Sequence, residues 1–312
     1  MSDDMRDHMS DPLADVVGLL QPGPRFVKFV EARGPWGVRR PATGQPTFCV
    51  LLDGNCRLAI AGRAPVLLGP GDFVLIPATD EFTMSCAAVP PGDVPDLAPV
   101  MTGRNAFRLG EPDGEPGARF IVGHCVFRSP HAALLVSLLP QLVHVRRDSR
   151  LTALVELVRD ESRAQRPARE VVLARLLEVL LIEALRSSEG TAADGTAASP
   201  GLVRGLADAR LAAALRRMHA APERPWTVAE LAREAALSRS VFFDRFSRAV
   251  GMPPMEYLLA WRMALARDLL QHGTCRIAEV AERVGYSSAS TFSVAFTRHV
   301  GMPPARLRAL NA

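Results

Sequence analysis

Apolar positions change their period once along this chain, near residue 131. Between about 25 and 127 they come in short runs: FVKFV at 26–30, TFCVLL at 47–52, CRLAI at 56–60 and DFVLIP at 72–77. These runs are rich in β-branched and aromatic residues, and DGN at 53–55, GPG at 69–71 and PPGD at 90–93 punctuate them. The pattern predicts strands joined by turns. Closing them into a small barrel or sandwich would protect their edges. After 131 the spacing turns helical. Leu134, Leu135, Leu138 and Leu139 form one stripe, and Leu151, Leu154, Val155 and Val158 form another. A third helix is predicted over 169–186, with Val171, Val172, Leu176, Leu177, Leu180 and Leu181 spread over more than one face. Such a helix needs cover on more than one side: the barrel on one and a second copy of the chain, a homodimer, on the other, with a purely intramolecular cap as the alternative. The small, polar stretch SSEGTAADGTAASPG at 187–201 predicts a flexible linker.

Beyond the linker the chain repeats itself. TVAELAREAALSRS faces RIAEVAERVGYSSAS, and FFDRFSRAVGMPP faces TFSVAFTRHVGMPP. Shared periodic positions in two segments make chance improbable. Each segment reads as helix, turn, helix, over about 226–251 and 275–301. Val228, Leu231, Ala232 and Ala235 with Phe242, Phe246 and Val250 form the inner face of the first unit. Ile277, Val280, Ala281 and Val284 with Phe292, Phe296 and Val300 form that of the second. Gly285 suits the second turn, because glycine accepts positive φ without a Cβ penalty. Ser238 or Ser240, and Ser287 or Ser288, are candidate helix caps.

The outward faces of the second helices carry the candidate chemistry. They offer Arg239, Ser240, Asp244, Arg245 and Arg248 in the first unit. The second offers Ser288, Ser290, Thr291, Ser293, Thr297 and Arg298. Guanidinium groups fork to guanine edges or phosphates, and hydroxyls reach either. A long helix from Pro254 to about Leu270, with Tyr257, Leu258, Trp261, Leu265 and Leu269 as its buried stripe, joins the units. Its length, roughly 26 Å, suits two recognition helices held about one DNA turn apart.

Charge sharpens this picture. Residues 200–312 hold sixteen Arg, no Lys and nine acidic groups, a formal charge of +7. The whole chain carries +4, which leaves residues 1–199 near −3. A basic module beside a mildly acidic one points to a polyanionic partner such as nucleic acid, the alternative being a general bias toward Arg, since Lys28 is the one Lys in the chain. Five cysteines without CxxC spacing argue against a disulfide scaffold or a zinc cluster. The acidic start MSDDMRDHMSD is unlike a signal peptide, and no apolar run reaches 18 residues. A cytoplasmic protein without a membrane partner is expected.

Residues 203–310 resemble the AraC/XylS family of bacterial transcription regulators. The resemblance rests on the doubled unit, on WRMALARDLL at 261–270, on IAEVAERVGYSSASTFSVAFTRHVGMPPARLR at 277–308 and on both GMPP endings. It implies two helix-turn-helix subdomains joined by a linker helix, recognition by the helices near 239–250 and 289–300, promoter binding, and activation more often than repression, with contact to RNA polymerase. Ala236 stands where the family often has glycine. PGDFVLIP at 70–77 resembles a cupin-type sensor domain, and LARLLEVLLIEALR at 173–186 resembles the helix through which family members commonly dimerise.

The expected architecture is therefore multidomain: a cupin-like β-barrel over 1–130, dimerisation helices over 131–186, the linker, and an all-α DNA-binding domain over 202–312. Catalytic cupins hold a metal with an HxH pair, a Glu and a later His, but the corresponding stretch TGQPTFCVLLDGNCRL contains no His. A sensor of an unidentified small-molecule effector, needing no cofactor, is favoured over an enzyme. The alternatives are an effector-independent repressor or architectural protein, and a cupin enzyme fused to a DNA-binding module. Candidate effector-pocket residues are Phe48, Val50, Phe73, Leu75 and Phe82, with His124 and Cys125. His124 and Cys125 with Cys49 are also weighed as a soft metal site, and Cys49, Cys56, Cys86 and Cys125 as redox sensors.

Overall fold

The structure, a computed structural model, describes residues 11–78, 81–88, 90, 93, 95–103, 105–128, 132–164, 166–187, 200–272 and 275–309. The acidic start, most of the predicted linker, part of the turn at 90–93 and the Leu134 side chain lie outside the described residues. The chain divides into a sheet unit, residues 21–128 and 140–199, and a helical unit, residues 1–20, 129–139 and 200–312.

Two sheets build the first unit. One runs in the order β11 (Val143–Val145), β6 (Phe73–Ile76), β3 (Thr47–Gly54), β10 (Ala118–Phe127), β1 (Pro22–Arg33), β9 (Ala106–Gly110), β8 (Val100–Gly103). The other runs β2 (Gly37–Arg40), β7 (Phe82–Cys86), β4 (Cys56–Ile60), β5 (Val66–Leu68). Val30, Leu51, Val74 and Phe120 from the first sheet meet Val38, Leu58, Leu68 and Met84 from the second in one buried cluster. Strand side chains alternate faces, so the neighbours of these residues point the other way. Phe48, Val50, Phe73 and Leu75 are those neighbours, and they are equally buried. They lie on the side that α3 (Ser149–Arg163) and α4 (Arg169–Ser187) cover, where both helices pack against β1 and α4 against β11.

Asp72 explains the PGDF signature. Its buried carboxylate accepts hydrogen bonds from Gly69 N at 3.1 Å, Arg147 N at 3.2 Å and His144 Nε2 at 3.2 Å. One side chain thus ties the turn before β6 to β11 and the entry to α3. The motif is a structural clasp here, because each buried acceptor needs its donors.

The helical unit comprises α1 (Pro12–Leu20), α2 (Ala132–Val136), α5 (Leu202–Ala207), α6 (Ala209–Ala220), α7 (Val228–Glu234), α8 (Arg239–Val250), α9 (Pro254–His272), α10 (Ile277–Arg283), α11 (Ala289–Val300) and α12 (Pro304–Ala309). By their contacts residues 11–20 and 132–139 group with the helices after residue 200, across the expected boundaries at 130 and 202. Helix α1 buries Leu13, Val16, Val17 and Leu20 and packs on α2, α5 and α6. Helix α2 packs on α9, and Leu138 O accepts from Leu202 N at 2.7 Å. Sequence adjacency suggested otherwise, since apolar stripes show that a helix needs cover and not which surface supplies it.

A buried polar chain fastens α1. His219 Nδ1–H donates to Asp15 Oδ2 at 3.0 Å, and Tyr257 OH donates to His219 Nε2 at 2.7 Å. The ring also stacks on Trp261, with centroids 4.0 Å apart. Burial lowers the His219 pKa despite Asp15, so the ring stays neutral, with a donor on one side and an acceptor on the other.

Candidate nucleic-acid interface

Both helix-turn-helix units are built by the same local rules. Thr227 Oγ1 accepts from Glu230 N at 3.2 Å, and Glu230 Oε2 accepts from Thr227 N at 2.9 Å, a complete capping box at the start of α7. In the second unit Glu279 Oε2 accepts from Arg276 N at 2.9 Å, the returning half of the same device. Ser238 caps α8 through Val241 N, and Ser288 caps α11 through Thr291 N. Gly251 and Gly301 end these helices in the left-handed conformation. Phe242 and Phe246, and Phe292 and Phe296, are fully buried as their spacing requires.

The second turn is one residue longer than the first, and the two differ at their positive-φ position, Ala236 against Gly285. Leu237 N donates to Ala232 O at 2.9 Å in the first, and Tyr286 N to Ala281 O at 2.9 Å in the second. Both turns need positive φ, which falls on Ala236 at 51° and on Gly285 at 83°. A Cβ at Gly285 would sit 2.7 Å from Glu223 O and 2.7 Å from an Arg262 guanidinium nitrogen. Gly285→Ala should therefore destabilise the helical unit by roughly 3 kcal/mol, combining backbone strain with overpacking. Ala236→Gly should change stability by less than about 1 kcal/mol, since relief of strain and lost backbone restriction oppose each other. Urea unfolding of the two variants checks the contrast; equal effects would refute it.

The crowding at Gly285 also shows how the units are joined. Arg262 on α9 donates from Nε to Pro222 O at 2.7 Å and from a terminal nitrogen to Arg224 O at 2.7 Å. The loop before the first unit is thus bonded to the helix that leads to the second and abuts the second unit's turn. Tyr257 meets Phe246 of the first unit edge to face, while Met263, Ala266 and Leu270 pack with Phe292 and Phe296 of the second. Leu265 and Leu269 are only half-buried. Helix α9 therefore serves two cores with two faces instead of one stripe.

On α8, Arg239, Ser240, Asp244, Arg245 and Arg248 are all exposed. Arg245 Nε donates to Asp208, whose carboxylate also caps α6 through Arg210 N and Leu211 N. A groove of about 860 Å³ beside α8 is lined by Arg204, Asp208 and Arg210 together with Arg245 and Arg248, of which Arg245 is the one shown bonded to that carboxylate. Arg204 and Arg210 escaped the sequence reading, because nothing in the pattern of the repeat reaches residues before 226. On α11, Ser290, Thr291 and Arg298 are exposed, whereas Ser288, Ser293 and Thr297 are half-buried. Ser293 Oγ donates to Ala289 O and Thr297 Oγ1 to Ser293 O, both at 2.7 Å, so these two hydroxyls serve their own helix. Val294, 71% exposed, occupies the middle of the outward face. Apolar groups there suit a thymine methyl; a search limited to polar residues missed it.

Comparison with known proteins decides the family. The Cupin family matches residues 11–188, and the helix-turn-helix domain family matches residues 231–309. A Streptomyces lividans protein named as an AraC-like transcription regulator is 35% identical over 308 residues, covering 96% of this chain and 98% of the relative. The chain belongs to the AraC family. The transcriptional activator RhaR of Escherichia coli is 33% identical over 98 residues, covering 31% of this AraC-family chain and 35% of RhaR. The DNA-binding domain of AdpA, solved in complex with a target DNA, is 30% identical, with 32% of this chain and 90% of that one covered and a TM-score of 0.31. This AraC-family protein is thus a transcription regulator with a DNA-binding helix-turn-helix domain and a cupin-like sheet unit. No described helix is long and apolar enough to cross a membrane.

In the sheet unit of this AraC-family protein one of the expected effector residues lines a cavity. A cavity of about 270 Å³ opens between β1, β10 and the helices, lined by Pro24, Arg25, Phe26, Val27, Asn105 and His124 and by Val158, Ser162, Arg169, Glu170, Leu173 and Leu177. Of the seven candidates only His124 reaches it. Phe48, Val50, Phe73 and Leu75 fill the layer under α3 and α4, Phe82 fills the core between the sheets, and Cys125 is buried. Period two was legible; which strands border the space was not, since the cavity lies over β1 and β10 and the four residues under α3 and α4 sit on β3 and β6. Adjacent strand residues His124 and Cys125 also point to opposite faces, so they do not converge with Cys49 as a soft metal site.

His124 contacts Thr47 Oγ1 through Nδ1 at 3.0 Å and lies against Phe26, ring centroids 4.5 Å apart. Burial first, then the charges of Lys28, Arg40 and Arg25, lowers its pKa to about 4. The unfolded chain, with an ordinary histidine, binds the proton more readily. The neutral ring's contribution is therefore complete above about pH 6.5 and is lost as pH falls toward 4. Allowing for its partial exposure, that loss should amount to about 2 kcal/mol, and His124→Gln should flatten it. Urea titrations at pH 7 and pH 4.5 test this; an unchanged pH difference in the variant would exclude His124 as its source.

Proposed function

We propose that this regulator binds promoter DNA through α8 and α11 together, as a homodimer, and activates transcription in response to a small molecule held by the sheet unit. The observation that carries the reading is the groove beside α8, lined by Arg204, Arg210, Arg245 and Arg248 with Asp208, on the flank of a recognition helix. Such a groove suits the phosphates on either side of a major groove entered by α8, with base reading left to the exposed face of the helix. Helix α9, nineteen residues and roughly 28 Å long, spaces the second unit for the next turn.

Dimer formation is supported by the outer stripe of α4. Val172 and Val179 are 41% and 42% exposed, with half-buried Leu176 and Ile182 on the same side. An apolar stripe on a helix that already buries Leu173, Leu177 and Leu180 fits an isologous partner. Activation is favoured by the role in the name of RhaR, a transcriptional activator; contact with RNA polymerase is proposed as the means. The cavity at His124 supports an effector, since it is concave and lined by apolar groups such as Phe26, Leu173 and Leu177 beside polar ones such as Arg25, Arg169 and Glu170.

Footprinting of the full chain on DNA upstream of its own and neighbouring genes tests the reading. Expected are protected intervals on one face of the duplex, tenfold or greater preference over scrambled DNA, and a steep salt dependence. Binding indifferent to sequence would overturn it. Sedimentation of the free protein checks the dimer, and a metabolite screen on the protected fragment checks the effector.

A further inference from the structure

The function described above leaves the cysteines unused, and the register of the smaller sheet sets two of them face to face. Cys56 on β4 pairs directly with Cys86 on β7. In an antiparallel ladder a residue turns its N–H and C=O toward the same neighbouring strand. Cys86 N donates to Trp36 O at 3.0 Å, on the β2 side. Its backbone therefore makes no ladder bond with Cys56, and the two cysteines form the close, non-hydrogen-bonded kind of pair. Opposed Cα atoms in such pairs are about 4.5 Å apart, with side chains on one face. A disulfide tolerates Cα separations of about 4.4–6.8 Å. The other cysteines lack this relation: Cys49 faces Val122, Cys125 faces Pro24, and Cys275 belongs to the helical unit.

We propose that Cys56 and Cys86 are a redox site, closed to a cross-strand disulfide by hydroperoxide-class oxidants. Access sets the order of events. Cys86 is partly exposed and Cys56 is fully buried. The Cys86 thiolate attacks the O–O bond, takes one oxygen as sulfenic acid and releases an alkoxide or hydroxide, which is protonated. The Cys56 sulfur then displaces that oxygen, forming the S–S bond and releasing water. Two thiols lose two electrons and two protons in total, and the hydroperoxide is reduced to an alcohol, or water, plus water. Burial, with the Asp72 charge adding to it, pushes the Cys56 thiol up to about 12. That slows the second step, so the pair responds to sustained oxidant. Arg57, next to Cys56, donates to Ala87 O at 2.9 Å and holds the two strands together at this point.

The cross-link would tie β4 to β7 around the segment that carries β5 and β6. The test is treatment of the native full-length protein with hydrogen peroxide, followed by alkylation, non-reducing digestion and mass spectrometry. Expected is a Cys56–Cys86 linked peptide and a loss of two hydrogens, reversed by dithiothreitol. The melting temperature should rise by roughly 5 °C on oxidation. Cys49→Ser should leave the link intact. Cys56→Ser should abolish it and leave Cys86 open to a sulfenic-acid trap. The proposal is overturned if the link forms only in denaturant, if peroxide instead joins Cys49, Cys125 or Cys275, if neither a link nor trapped Cys86 is found, or if oxidation lowers the melting temperature.

Discussion

Leu265→Pro should collapse binding to a fragment carrying two half-sites by about 100-fold, the advantage that tethering two modules confers. Position 265 lies mid-way along α9, between Tyr257 and Trp261 on one side and Leu270 on the other. Proline removes the N–H bond to the Trp261 carbonyl and its ring clashes with that carbonyl, at a cost of about 3 kcal/mol or more. The helix would kink between the part that packs with Phe246 and the part that packs with Phe292. Arg262 lies within a turn of the lesion, so its bonds to Pro222 O and Arg224 O would loosen as well. The consequence is two folded reading heads without a fixed spacing. Footprinting and circular dichroism together check this. Retained helix content with an intact two-site footprint would refute the rigid-connector argument; a small helical loss with protection of single half-sites would support it.

Replacing Arg245 and Arg248 together by Ala should weaken promoter binding at least tenfold and reduce the slope of log affinity against log salt by about 2. Both guanidinium groups line the arginine groove. Their roles are not equivalent in the free protein. Arg245 is tied to Asp208, which also caps α6, whereas Arg248 donates only to Asp244 O, one turn back, at 3.3 Å. Arg245→Ala thus removes a tether as well as a charge, so a melting curve must accompany each binding isotherm. Arg248→Ala should leave stability within about 0.5 kcal/mol, as expected for an exposed side chain. Unchanged affinity and unchanged salt slope in the double variant would exclude the first unit from DNA contact.

Local and repeated features were legible before any fold was known. Helix spacing gave α4 to within a residue at its C-terminal end and placed α8 and α11 where they lie. Phe242, Phe246, Phe292 and Phe296 were correctly read as inward-facing, because spacing of four on a helix is self-evident in one dimension. Serine caps and GMPP endings were equally readable, since caps act within a turn or two of chain. The short strands β2, β5, β7, β8, β9 and β11 were not distinguished. Runs of three to five residues carry too little periodic signal.

The sequence by itself determined the doubled reading head, the basic charge of its segment and the inward positions of its helices, because each follows from periods and bonds spanning a few residues. Only the tertiary structure decided where over a sheet space is left. It put Phe48, Val50, Phe73 and Leu75 in packing under α3 and α4, left a cavity at His124, and grouped α1 and α2 by contact with the helices after residue 200. It also brought Arg204 and Arg210 to α8, and Cys56 opposite Cys86. Those placements join residues far apart in the chain. They depend on which apolar surfaces pair when water is expelled, and a linear pattern states only that such surfaces exist.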